Sequence, residues 1–83
     1  MPRFLVESYV AASATSFDEC RKRARQAAKL TPDVRYVRTT FLPGDETVLH
    51  LFVAPSAEAL GEAGRLAGLQ FDRIVEAIEE HSQ

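Results

Sequence analysis

Thr47-Val48-Leu49-His50-Leu51-Phe52-Val53 is the stretch on which the fold turns. β-branched and aromatic types dominate it, and apolar side chains stand at both odd and even positions. It reads as a strand that is greasy on both faces. Such a strand belongs in the middle of a sheet and needs cover on each side. Just before it stands Pro43-Gly44-Asp45-Glu46, a turn sequence in which proline presets φ and glycine tolerates positive φ. Residues 34–42, Val-Arg-Tyr-Val-Arg-Thr-Thr-Phe-Leu, precede the turn and suit a strand, so the pair is a hairpin.

Outward from the hairpin the pattern changes period. Residues 4–10, Phe-Leu-Val-Glu-Ser-Tyr-Val, make a first strand. Ser16 with Glu19 three residues on is a capping box, and it predicts a helix starting at Ser16 with Asp18 and Glu19 in the first turn. Phe17, Cys20, Ala24, Ala27 and Ala28 form its apolar stripe, and Pro32 ends it near Leu30. Pro55-Ser56 caps a second helix with Leu60, Ala63, Gly64 and Ala67 inward and Gly68 past its end. Gly61 and Gly64 weaken that helix but would allow close approach to the first one. Residues 73–78, Arg-Ile-Val-Glu-Ala-Ile, predict a fourth strand; a short helix over 72–80 is the alternative, since Ile74 and Ile78 lie four apart.

The order β-α-β-β-α-β is the split βαβ, ferredoxin-like plan of the α+β class. It predicts one domain over residues 1–83: a four-stranded antiparallel sheet, both helices on one face, the first and third strands central. Pairing Leu42 with Thr47 across the turn assigns the faces. Val37, Thr39, Phe41, Val48, His50 and Phe52 go to the helices; Tyr36, Arg38, Thr40, Leu49, Leu51 and Val53 go to the open side. Burying Leu49, Leu51 and Val53 is worth roughly 5–9 kcal/mol together, at roughly 1.5–3 kcal/mol for each Leu or Val. That is large beside a net stability of about 5–15 kcal/mol. With Leu5 they predict a dimer interface in which a second copy covers the face. The competing cover is the chain's own end, but residues 79–83 are polar.

The chemistry is sparse. Ten basic and 12 acidic side chains give a net charge of −2, which argues against a nucleic-acid partner. The outward positions 49, 51 and 53 are aliphatic where an RNA-binding sheet needs aromatics. The basic residues of the first helix read as a solvated face. No apolar run spans a bilayer and no signal peptide opens the chain, so the expected setting is the cytoplasm, without a membrane partner. The lone Cys20 fits that setting and reads as a core residue; no Cys-x-x-Cys follows the first strand. His50 falls on the helix side as a hydrogen-bonded core residue, and His81 falls at a frayed end. Neither makes a metal site, and no cofactor is implied. The one suggestive polar set is Glu7, Tyr9, Tyr36, Arg38 and Glu76, assigned to the open face beside the apolar floor. A carboxylate, phenols and a guanidinium there could hold a small molecule, or Glu7 and Arg38 could pair at an interface.

Four segments carry a family resemblance: Met1-Pro2-Arg3-Phe4-Leu5-Val6-Glu7, Val34-Arg35-Tyr36-Val37, Ala54-Pro55-Ser56-Ala57-Glu58-Ala59, and Ala67-Gly68-Leu69 running on to Asp72-Arg73-Ile74-Val75-Glu76. In order and spacing the chain resembles a family of small ferredoxin-like proteins of unknown function that includes a bacterial nickel-binding protein. The resemblance implies the same fold, often as a homodimer, with Glu7 and Glu76 at recurrent positions. It implies nickel only for members with histidine where this chain has Arg38, and near Ala63. Three functions follow as expectations: a dimeric, non-enzymatic module binding a ligand or partner; a small enzyme of the dimeric α/β-barrel type acting on a hydrophobic substrate; and a metal-binding protein using His50 with carboxylates.

Overall fold

The structure, a computed structural model, describes residues 1–10 and 14–79. The elements run β1 (Arg3–Tyr9), α1 (Ala14–Leu30), β2 (Arg35–Leu42), β3 (Thr47–Val53), α2 (Ala57–Leu66) and β4 (Arg73–Ala77). The four strands make one sheet in the order β2-β3-β1-β4, antiparallel throughout. This is the ferredoxin-like α+β fold. Residues 73–77 are strand, which settles the alternative of a helix.

Local chemistry sets each boundary. The Ser56 hydroxyl accepts from the Ala59 N–H at 3.1 Å and caps α2. Gly68, at φ 72°, ends it: its N–H donates to the Arg65 carbonyl, and the Leu69 N–H reaches back to Gly64 at 2.8 Å. That is a Schellman closure, and it needs the left-handed residue. At the hairpin, Pro43–Asp45 form a 3-10 turn, and the left-handed conformation falls on Glu46 (φ 50°), not on Gly44. The start of α1 also differs from expectation. The helix is already formed at Ala14, so Ser16 stands inside it, and neither Asp18 nor Glu19 lies in the first turn.

The hairpin register begins as the turn predicts, with Leu42 opposite Thr47, and holds through Arg38 opposite Leu51. There β2 bulges. Tyr36, not Val37, comes opposite Phe52. A bulge places two residues against one and reverses the inward–outward sense of everything beyond it. Tyr36 therefore lies on the helix side, its ring edge-on to Phe52 with centroids 5.8 Å apart, while Val37 is exposed. The assignment of Tyr36 to the open face and Val37 to the core is corrected on this ground.

The core fills the space between the helices and the sheet. Phe4, Val6, Val48 and Phe52 meet Cys20, Ala24 and Ala27 of α1 and Leu60 and Ala63 of α2. The glycines of α2 do not serve α1. A Cβ on Gly64 would meet the Phe71 ring at 3.2 Å, and one on Gly61 would lie near Ile74. The space they leave admits the segment leading into β4.

Candidate functional site

Two places gather polar side chains, one on each side of β3. On the helix side, β3 positions His50 with no exposed surface. The register sets Thr39 opposite it, and the Thr39 hydroxyl lies 2.8 Å from His50 Nδ1. Tyr36 reaches the same hydroxyl at 2.6 Å. The other ring nitrogen, Nε2, lies 3.2 Å from Cys20 Sγ. Ser8, buried nearby, donates to the Gln70 carbonyl at 2.8 Å. A buried polar chain is tolerated only when its members are satisfied. Here no described buried side-chain atom lacks a partner.

Burial also sets the charge state of the pair. It pushes the His50 imidazole down to about 4, from an ordinary 6.5. It pushes the Cys20 thiol up, against the weaker pull of the Ser8 hydroxyl and Arg23. At neutral pH the two are a thiol and an uncharged imidazole, hydrogen-bonded but not ionised. The thiolate that nucleophilic chemistry needs is disfavoured. A cleft of about 480 Å³ opens beside Cys20, lined by Ser16, Glu19, Arg23, Gly68 and Gln70 among others.

The open side of the sheet is built differently. Its floor is Leu5 on β1 with Leu49 and Leu51 on β3. Leu51 keeps only 3% of its surface exposed, with Leu5 and Arg38 as its cross-strand neighbours. One chain thus buries a residue expected to await a partner, while Leu49 and Val53 stay half-buried. Over this floor Glu79 spans two strands. One carboxylate oxygen takes Arg3 Nη1 at 2.9 Å, and the other takes Arg38 Nη2 at 3.0 Å. A cleft of about 390 Å³ remains, edged by Thr40, Ala77 and Ile78.

The expected polar set is therefore divided. Glu7 and Arg38 are on the open side but do not meet: Glu7 pairs with Arg73 at 2.8 Å and Arg38 with Glu79. Tyr9 is exposed at the end of β1, where its backbone N–H donates to the Asp72 carboxylate at 2.8 Å. Tyr36 crosses to the helix side through the bulge. Glu76 comes opposite Phe4, so it too is on the helix side, at the exposed edge strand. His81 lies outside the described residues. Sequence reasoning missed the role of Glu79 and the contact of Cys20 with His50. The second was half legible, since Cys20 on the helix stripe and His50 on the helix side face the same layer.

Comparison with known proteins gives the same architecture. The family described as "Nickel responsive protein SCO4226-like" matches residues 4–77. The crystal structure of SCO4226 from Streptomyces coelicolor A3(2) superposes with a TM-score of 0.77 at 20% identity, covering 95% of this chain and 99% of that one. At that identity the likeness is one of fold. No curated protein matches the chain.

Proposed function

The chain belongs to the family of nickel responsive SCO4226-like proteins, and from that premise we propose that it is a small ligand-binding module, without catalysis, whose working surface is the open face of its sheet. The observation that supports this reading is the open-face cleft. An apolar floor of Leu5, Leu49 and Leu51 lies under charged side chains, in a space of about 390 Å³. Small-molecule sites combine these features, at about 300–1,000 Å³. The thiol–imidazole pair on the other side, held uncharged, favours a structural role there over catalysis. No described helix is long and apolar enough to cross a membrane, and the module's setting in this reading is the cytoplasm.

Nickel is the ion in the family's description, and the described residues do not fit a centre for it. Nickel favours imidazole nitrogen, completed by further nitrogen or oxygen ligands gathered around it. Both ring nitrogens of His50 are engaged, and the Cys20 thiol is held protonated. Among the described residues no three of His, Cys, Asp and Glu come together. Where the resemblance puts histidine, Arg38 is paired with Glu79 and Ala63 is sealed in the core.

Titration of the labelled protein with an uncharged apolar probe, decanol, tests the reading. Amide shifts should concentrate on β1, β3 and residues 77–79 and weaken in Leu49→Lys. Shifts clustered at Cys20 and Gly68 instead would place the site on the helix side and end the proposal.

A second reading is self-association through the same face. Ile78, 93% exposed at the edge of the cleft that half-buried Leu49 also lines, favours it. A two-fold axis would let the patch cover itself. Sedimentation at micromolar concentration should then give twice the 9.2 kDa chain mass; a monomer would end this second reading.

A further inference from the structure

The open-face cleft contains a carboxylate already, and it belongs to the chain. Glu79 divides its two oxygens between guanidinium groups from different strands, Arg3 at 2.9 Å and Arg38 at 3.0 Å. Charge-assisted bonds of this length are the strong kind, and arginine is the side chain suited to carboxylate geometry. Beneath the clamp the floor is aliphatic: Leu5, Leu49 and Leu51. Beside it Ile78 stands 93% exposed. A single polar clamp above an apolar trough describes an amphipathic acid, with its head at the arginines and its hydrocarbon along the floor.

We propose that the open face binds amphipathic monocarboxylates, with Arg3 and Arg38 holding the head group, and that Glu79 is a built-in occupant of that head-group position which such a ligand displaces. This rests on the open face being the binding surface and adds the class of ligand and a control on access. Glu79 lies just beyond the end of β4 at Ala77, so its carboxylate is tethered close to the clamp. A short tether gives a competing group an effective concentration in the millimolar range. The clamp is thus kept paired without ligand and opens only to an acid whose apolar chain adds contact with the floor. Small acids such as acetate gain nothing from the floor and should not compete. The guanidinium groups are partly exposed, so salt weakens both partners of the exchange.

Calorimetry with decanoate, and with decanol as its uncharged counterpart, tests the proposal. Glu79→Gln should bind decanoate on the order of 10-fold more tightly than the parent chain, the tethered competitor being gone. Decanol affinity should change little. Adding Arg38→Gln to Glu79→Gln should bring decanoate back to the affinity of decanol. Arg38 is exposed, so neither variant threatens the fold. The proposal is overturned if Glu79→Gln gains nothing for decanoate, or if the double variant keeps the gain. Equal binding of decanoate and decanol by Glu79→Gln would also sink it, while leaving open-face binding intact. Binding of neither would end both. Conversion of Glu79→Gln to a dimer without ligand, by sedimentation, would assign the clamp to guarding a protein surface and would likewise overturn it.

Discussion

On the helix side of β3, Phe52 and His50 have no exposed surface; on the other side of the same strand, Leu51 has 3%. The two faces reach nearly the same burial by different means. Behind Phe52 stand two helices, and among the described residues every buried side-chain nitrogen or oxygen has a hydrogen-bond partner. Above Leu51 stand long charged side chains whose stems shield apolar surface while their heads stay in water. The first kind of cover is permanent, because removing it leaves buried polar groups without partners. The second can be lifted, because each charge lifted off returns to solvent. One strand thus separates a sealed core from a face covered only by charged side chains.

Paired truncations break this comparison first. Phe52→Ala should cost about 3–5 kcal/mol, and Leu51→Ala should fall near the lower end of about 2–5 kcal/mol, since solvent can relax into the vacated space. Urea denaturation measures both. If Leu51→Ala costs as much as Phe52→Ala, the open face is a second core and its cover is not mobile.

The next effect lies in the polar chain behind β3. An unfolded chain carries His50 near its ordinary value of 6.5, whereas the folded chain resists protonation down to about 4. Between those values the unfolded state binds a proton that the folded state excludes. Stability is complete above pH 6.5 and falls as the pH drops toward 4, by roughly 3 kcal/mol. Urea midpoints across this window, compared with those of His50→Phe, isolate the effect from the carboxylates. Parallel pH dependences in the two proteins would show that the imidazole protonates without harm.

The smallest effect belongs to the open side. Glu7→Gln, which removes the exposed pair with Arg73, should cost under about 1 kcal/mol. A larger loss in the same urea measurement would mean that charge on this face is structural.

The reach of the sequence follows the same division. Features fixed by local chemistry were legible: the Pro43-Gly44 turn with Leu42 opposite Thr47, the Ser56 cap, the Gly68 stop, and the placing of His50 among core residues. The start of α1 was not, because a capping-box pattern at Ser16 cannot report that the helix is already running two residues earlier. The bulge at Val37 was not, because Val-Arg-Tyr-Val-Arg alternates well enough in either sense and holds no glycine to mark a break. The pairing of Arg38 with Glu79 was not, since it joins residues 41 apart whose meeting depends on the path taken after β4. Two of the five expected polar residues left the open face, Tyr36 through the bulge and Glu76 through the register of β4, and the residue that completes the clamp lay in a segment read only as polar.

The bulge has a consequence for comparing this chain with distant relatives. A correspondence counted backward along β2 from the hairpin turn is sound as far as Arg38 and inverted from Tyr36 onward. A relative without the extra residue would present, at the ungapped equivalent of Tyr36, a side chain on the opposite surface. At 20% identity few neighbouring matches would expose the error. Ligand positions should therefore be transferred across β2 by superposed backbone, with a one-residue gap at Val37, and not by counting letters.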